Sequence, residues 1–420
     1  MDQCYTQTKK YFFLDFIYFS VKICLGFGTL VSACRLPVGL KWEEPMGVSQ
    51  PIESAELDAL VGKVNSFMTK GYSNRTVGVT DGSRPRFELY HAIPSLCSHK
   101  CRTVLAEKGV PYMSHAMSIM PAGKAIPQNY RPEYVRLRLR GAPDTKLVDG
   151  YNGISSVETM GFDPCVVPTL VDHEAGRIVV DSRAICEYID EHADHGEKLI
   201  PDDLKDMINK QTECVDRAPH VALLYGAHPD DDRRPEELKG NIAGVHARKV
   251  RALRAVLNTL GPDSDLRTAY ERKILKEQSA AEFVVSADQM RDAHTLAKAH
   301  VAELEAQLAS HSGEWVCGAR YTMADILWTV SLYRLQWLGL RRFWGADSGN
   351  TRVADYVERA IERPSFRSAV RDWTGSHGPA PYFPELATGA AKAKFAIHMF
   401  RELNLPEMVF GNSQYPISNN

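Results

Sequence analysis

The sequence predicts a mixed α/β domain followed by an all-helical domain, and two patterns carry this prediction. Between residues 86 and 192, strand-like and helix-like segments follow one another in the order βαβα and then ββα. From residue 202 onward, apolar residues recur at helical spacing, most clearly over residues 286–310. We therefore place an N-terminal extension and linker at 1–85, an α/β domain at 86–200, a helical domain at 201–376 and a tail at 377–420.

The elements of the first domain follow from alternation, helical stripes and turn residues. A strand at 86–91 leads through a turn into a helix at 97–108, which ends at Gly109, a residue favoured after a helix C-terminus. A second strand follows at 112–119, then a short helix at 131–140 and a glycine-rich insertion at 141–164. Strands at 166–171 and 177–180 form a hairpin that precedes a helix from about 182 to 192.

The helical domain is predicted from apolar stripes. Its helices are expected at residues 206–225, 245–259, 266–283, 286–310, 322–339 and 352–363. Thr322 and Asp325 have the spacing of a capping box, which is a structural role. The tail is rich in Gly, Ala and Pro and is expected to pack loosely.

The segment before the first domain allows two interpretations at its start. Lys9 and Lys10 precede an apolar stretch that ends at Cys34, the order of a membrane-directing segment with a small-residue cleavage site. Its longest uncharged part, residues 23–34, is shorter than the ~20 residues that span a bilayer as a helix. An over-extended start site before Met46 therefore remains the alternative for residues 1–45. Residues 46–86 break repeatedly at Gly and Pro and predict a linker or arm with one helix at 54–68.

Composition excludes several classes of function. The formal net charge of -2 argues against a dedicated nucleic-acid binder. The nine cysteines are an odd number and are scattered along the chain, which is unlike a disulfide framework and fits a reducing, cytoplasmic compartment. Neither a Cys-x-x-Cys pair nor a Cys/His zinc spacing occurs in the sequence, so we expect no metal site, and membrane association is not expected.

Cys97 is the strongest candidate for a reactive group. It lies where a strand turns into a helix, and helix N-termini stabilise a thiolate through unpaired N–H groups and the helix dipole. Ser95 precedes it by two residues, and Lys100 and Arg102 can add positive potential. The alternative is that Cys97 is an apolar core residue, which is the better interpretation for Cys101, one turn further on.

Two further segments are candidates for ligand binding. Pro168, after Val167, lies between a strand and a loop; a cis bond there would turn main-chain groups toward a peptide ligand, although an ordinary edge-strand proline has the same pattern. Asp181 and Ser182 open a helix, where a hydroxyl and free N–H groups can bind a carboxylate. A plain N-cap is equally compatible with that pair.

These motifs in this order resemble the glutathione S-transferase superfamily over residues 86–375. The Ser-x-Cys-Ser segment at Ser95 is similar to the zeta-type branch, and closer to glutathione-dependent reductive dehalogenases of chlorinated hydroquinones. The segments that look like that subgroup are 134–140, 161–164, 167–173, 219–226 and 331–334. The extension before Met46 and the insertion at 141–164 depart from ordinary transferases.

The resemblance implies a thioredoxin-like first domain, a glutathione transferase helical domain, a homodimer, and glutathione as co-substrate with a small aromatic substrate. It implies that Val167 and Pro168 form a cis bond that pairs with the glutathione backbone. By the same resemblance, Asp181 and Ser182 hold the γ-glutamyl end and Ser95 stabilises the glutathione thiolate. Cys97 would attack the sulfur of a glutathionyl conjugate. Aromatic side chains are expected either to wall an apolar substrate pocket or to pack in the core: Tyr225, Trp328, Tyr333 and Trp337.

Two other functions remain open at the level of sequence. A zeta-like cis–trans isomerase would depend on Ser95 more than on Cys97 and would form no oxidised glutathione. A non-catalytic binding protein would keep the fold without the chemistry.

Overall fold

The computed structural model describes residues 47–68, 74–79, 82–154, 156–234, 236–242, 244–262, 264–375, 378–379 and 412–417. The predictions for residues 1–45 and for most of the tail lie outside these residues. In the described part of the tail, Tyr415 is buried in a cluster with Tyr130 and Tyr270, so this position packs tightly rather than loosely.

One five-stranded mixed sheet organises the first part of the chain. Its strands are β1 (Asn74–Val77), β2 (Phe87–His91), β3 (Tyr112–Ala116), β4 (Thr169–Asp172) and β5 (Arg177–Val180). They lie in the order β1-β3-β2-β4-β5, with β2 and β3 parallel and the other pairs antiparallel. The observed order confirms the thioredoxin-like class that the sequence predicts.

Helices cover both faces of this sheet because side chains alternate along each strand. Leu89 of β2 packs with Val104 and Ile185 in the layer formed by α2 (Leu96–Lys108) and α5 (Ser182–His192). Tyr90, the next residue, lies in a second core. The helices of that other face are α1 (Ser54–Asn65), α3 (Pro132–Gly141) and the short α4 (Val157–Met160).

Residues 47–68 and 74–77 differ from the linker or arm predicted for residues 46–86. The β1 strand pairs with β3 at the sheet edge, and Ser49 exchanges hydrogen bonds with Ile178. Leu57 and Val61 of α1 are buried against the second core. A four-residue edge strand without clear alternation carries little sequence signal, which explains why it is missed.

The insertion at 141–164 is folded onto the same structure. Leu147 and Phe162 form a parallel bridge, and α4 ends at Gly161. Gly161 has φ 87°, and a Cβ there would lie 2.8 Å from the carbonyl oxygens of Lys146 and Leu147. Only glycine allows the two segments to approach this closely.

The rest of the chain is helical, as predicted. The helices are α6 (Lys205–Asp216), α7 (His220–Tyr225), α8 (Glu236–Ile242), α9 (Val245–Leu257), α10 (Arg267–Val285), α11 (Ala287–Ala309), α12 (Met323–Trp337) and α13 (Thr351–Ala360). Short helical turns follow at Pro364–Phe366 and Arg367–Arg371, and a small hairpin pairs Thr374–Gly375 with Gly378–Pro379. The single helix predicted at 206–225 is in fact two, because Pro219 interrupts it. Among the described residues, we find no helix with the length and apolar character needed to cross a bilayer.

The capping box at the start of α12 is confirmed and predicts a stability effect. The buried Asp325 carboxylate accepts hydrogen bonds from the Thr322 and Val316 amides, each at 2.8 Å. In Asp325→Ala these two amides lose their partner inside the core, so we expect the free energy of unfolding to fall by about 3 kcal/mol. Chemical denaturation measures this; Asp288→Ala, which removes an exposed acid from the first turn of α11, should change it by less than ~0.5 kcal/mol.

Candidate active site

Cys97 lies in the first turn of α2, directly after the turn that follows β2. Ser95 is the N-cap, and its Oγ accepts a hydrogen bond of 3.3 Å from the Ser98 amide. The hydroxyl proton of Ser95 therefore remains available to a second acceptor. The Cys97 amide is one of the first four in the helix, which have no intrahelical partner. This end of α2 can consequently stabilise negative charge beside the thiol.

The turn before Cys97 is held by side chains that reach its carbonyl groups. His99 Nε2 donates to the carbonyl of Ile93 at 2.8 Å, and Arg334 of α12 donates to that of Pro94. Arg102 donates to the carbonyls of Ala92 and Ile93, and to that of Ala369. The guanidinium of Arg102 is thus buried against main-chain carbonyls, where it holds the turn before Cys97.

Lys100 supplies the positive charge near Cys97. Its ammonium lies 2.9 Å from a carboxylate oxygen of Asp216, at the end of α6. Burial lowers the pKa of Lys100, but attraction to Asp216 and Cys97 raises it overall, so the side chain is a cation. Asp216 has no motif in the sequence that connects it to Cys97, and sequence reasoning missed it.

The pKa of Cys97 is raised, which corrects the expectation of a lowered value. Burial of the sulfur raises it most, and the nearby carboxylates of Asp181 and Asp216 raise it further. Lys100 and a hydrogen bond with the Ser182 hydroxyl act in the opposite direction. The residue as a whole is partly exposed and lines a cavity. The thiol is thus placed among ionisable groups, and their balance decides how much thiolate is present.

Asp181 and Ser182 lie beside this thiol at the start of α5. Asp181 has φ 80° and is the one described non-glycine residue in the left-handed region, a conformation that costs on the order of 1–3 kcal/mol. Its Oδ1 caps α5 by accepting the amides of Arg183 (2.8 Å) and Ala184 (3.4 Å). Burial and Asp216 raise the pKa of Asp181. The pair is a helix cap, and it also contributes to the wall of the cavity that Cys97 lines.

The Val167–Pro168 bond is cis, as predicted. Buried Arg138 of α3 donates to the carbonyl of Pro168 and, at 2.8 Å, to Thr169 Oγ1. Tyr134 also bonds this segment, through the carbonyl of Val166 at 3.0 Å. Val167 lines the cavity whereas Pro168 does not. Val167 is therefore the member of the pair that can meet a ligand.

A single cavity of about 1020 Å³ joins these residues. Five of the six predicted site residues line it: Ser95, Cys97, Val167, Asp181 and Ser182. This volume is at the upper end for small-molecule sites, which leaves room for a tripeptide and a second small molecule together.

The far wall of the cavity comes from the helical region. Tyr225 and Trp337 line it, in agreement with the expected aromatic wall. Trp328 instead donates to Gln211 in the core, and Tyr333 packs edge-on against Phe366. Those two aromatic side chains belong to the packing alternative.

Comparison with known proteins identifies the family. Residues 94–192 match the family described as glutathione S-transferase, N-terminal domain. Over 308 residues the chain is 45% identical to the 2,5-dichlorohydroquinone reductive dechlorinase of Sphingobium indicum, covering 73% of this chain and 88% of that protein. This chain belongs to the glutathione S-transferase family. It is also 28% identical over 299 residues to the tetrachloro-p-hydroquinone reductive dehalogenase of Sphingobium chlorophenolicum, covering 69% of this chain and 99% of that protein.

The cysteines of this glutathione S-transferase divide into one candidate nucleophile and several packed thiols. All six in the described residues are free. Cys101 is buried as predicted, with its sulfur 3.9 Å from that of Cys186 and 3.6 Å from the carbonyl of Ser182. Burial raises the pKa of Cys101 well above its usual value, so this thiol stays protonated.

Proposed function

We propose that this glutathione S-transferase is a reductive dehalogenase of chlorinated hydroquinones. The observation that carries the proposal is that Cys97 lines the same cavity as the polar groups expected to bind glutathione. The names of the two relatives support the substrate class. The cavity also has an aromatic far wall, which suits a substituted benzene ring.

The residues of the cavity fit glutathione, a tripeptide with one ammonium group, two carboxylates and a thiol. Asp181 supplies an anion for the ammonium, and the N-terminus of α5 at Ser182 supplies donors for the γ-glutamyl carboxylate. Val167 offers main-chain groups to the peptide. Ser95 has a free hydroxyl proton to donate to the glutathione thiolate.

The proposed reaction consumes two molecules of glutathione for each chloride released. The first displaces chloride from a keto tautomer of the hydroquinone, which has the same oxidation level, and leaves a carbon–sulfur bond. The Cys97 thiolate attacks that sulfur: a disulfide bond forms, the carbon–sulfur bond breaks, and its electron pair stays on the ring carbon, which takes up a proton. A second glutathione thiolate then attacks the mixed disulfide and releases oxidised glutathione and the Cys97 thiolate.

Stoichiometry tests this proposal directly. With glutathione and 2,5-dichlorohydroquinone, we expect two glutathione molecules consumed and one oxidised glutathione formed per chloride. Intact-mass analysis of the quenched reaction should show one glutathione attached at Cys97. Turnover without net glutathione consumption would support an isomerase instead, and a lack of glutathione binding in calorimetry would support a non-catalytic protein.

The quaternary structure and location belong to the same proposal. We expect a homodimer, as the resemblance implies, and a cytoplasmic location, as the scattered cysteines indicate. Light scattering on purified protein measures the mass, and a monomer would contradict this expectation.

A further inference from the structure

The far wall of the cavity holds buried charges that the reaction above does not use. They form what we term the Glu277 cluster, centred on Glu277 of α10. Its members are Asp163, His246, Lys249, Lys273, Lys276 and Glu277. All except Asp163 line the cavity. The cluster is assembled from α9, α10 and the segment before β4.

The Glu277 cluster carries an excess of positive charge. Glu277 accepts from Lys273 at 2.8 Å, and Lys249 lies 3.3 Å away. Burial raises the pKa of Glu277, but Lys249, Lys273 and His246 outweigh it and hold the pKa well below its usual range. Burial lowers the pKa of Lys249, whereas Glu277 raises it overall. Three lysine cations thus face two carboxylates, which favours an additional anionic or electron-rich group beside them.

His246 presents an acceptor with no partner. Its Nδ1 lies 2.8 Å from Glu277 Oε2, and because an ionised carboxylate only accepts, Nδ1 carries the hydrogen. When the ring carries only that hydrogen, Nε2 is an acceptor. The side chain is more than nine-tenths buried, and Nε2 has no hydrogen-bond partner among the described residues. An unpaired buried nitrogen on a residue that lines the cavity lacks a partner that a ligand bound there can supply.

The surroundings of His246 fit an aromatic ring with a hydroxyl group. The Tyr225 ring packs edge-on against His246, with centroids 4.9 Å apart, and Leu224 and Ala280 also line the cavity. Lys249 donates to the Tyr225 hydroxyl at 3.1 Å, so its ammonium lies beside the residue that packs on His246. Apolar side chains, a cation and an unpaired nitrogen therefore meet in this part of the cavity wall.

We propose that His246, oriented by Glu277 and assisted by Lys249, recognises a phenolic hydroxyl of the substrate and accepts its proton. In this step the O–H bond breaks, an N–H bond forms at Nε2, and the electron pair stays on the oxygen. Glu277 stabilises the imidazolium, and Lys249 stabilises the phenolate. This inference rests on the proposed function for the identity of the ring, since conversion of a hydroquinone to its keto tautomer includes loss of a hydroxyl proton.

Binding of two unreactive probes tests the inference without turnover. 2,5-Dichloro-4-methoxyphenol has one hydroxyl, and 1,4-dichloro-2,5-dimethoxybenzene has none. In calorimetry, the wild-type protein should bind the phenol at least about tenfold more tightly than the diether. Equal affinities, or no binding of the phenol, would overturn the proposal before any variant is made.

Two variants of His246 test whether the preference for the phenol depends on Nε2 of this residue. In His246→Asn the amide can replace Nδ1 as the partner of Glu277 but nothing replaces Nε2, so affinity for the phenol should fall about tenfold. His246→Gln places its amide near the Nε2 position and should retain more of the phenol affinity. Glutathione affinity and the thermal midpoint report whether each variant is folded. Unchanged phenol binding by both variants would refute the role of His246. If the wild-type protein binds the phenol as expected but does not dechlorinate 2,5-dichlorohydroquinone, only the proposed function is refuted.

Discussion

Cys97→Ser is expected to stop release of the dechlorinated hydroquinone and to accumulate the glutathionyl conjugate. A serine hydroxyl is not ionised near neutral pH and does not attack sulfur, so the second half of the reaction fails. The first half depends on Ser95, Asp181 and Ser182, which remain in place. We expect release of the dechlorinated hydroquinone to slow by at least about a hundredfold, while chloride is still displaced by the first glutathione. Chromatography with mass detection of quenched mixtures measures both products.

Cys214→Ser is the matched control for that experiment. Cys214 is also a partly exposed thiol, but it contacts Glu303 at 3.3 Å and does not line the cavity. The same chemical change there should leave dechlorination unaltered. Release of the dechlorinated hydroquinone by Cys97→Ser at the wild-type rate would show that Cys97 is not the nucleophile.

Breaking the Lys100–Asp216 ion pair from its two sides should shift the Cys97 pKa in opposite directions. Lys100 lowers the pKa of Cys97, so Lys100→Met should raise it and leave less thiolate. Asp216 raises that pKa, so Asp216→Asn should lower it and also release Lys100 to act on the sulfur. A shift of about one pKa unit changes the thiolate fraction, and the alkylation rate near neutral pH, about tenfold.

The rate of alkylation of Cys97 by iodoacetamide, followed by peptide mass spectrometry from pH 6 to 10, measures this effect. Asp203→Asn is the control, because it removes the same charge from an exposed pair with Arg320. If both Lys100→Met and Asp216→Asn accelerate alkylation, the ion pair limits access of the reagent to Cys97 and does not act through the pKa of the thiol.

The order of the elements was predictable because local patterns determine it. Alternation in β2, the helical stripe of α2 and the turn residues of the β4–β5 hairpin all occur within a few residues of one another. The exceptions are short or interrupted elements. Strand β1 has four residues and owes its place to pairing with β3, and the predicted helix at 206–225 divides at Pro219. Asp181 and Ser182 were found because a helix cap has a local signature.

By itself the sequence determined where Cys97, Ser182 and the cis bond before Pro168 fall relative to helix and strand ends, since these are properties of neighbouring residues. The tertiary structure alone decided the electrostatics. It buried Cys97 between carboxylates and raised its pKa, where the helix dipole alone predicts the reverse. It also brought Asp216 to Lys100, 116 positions away in the chain, and Glu277 to His246. Charges interact through space, so a local sequence pattern does not predict which charged residues will pair.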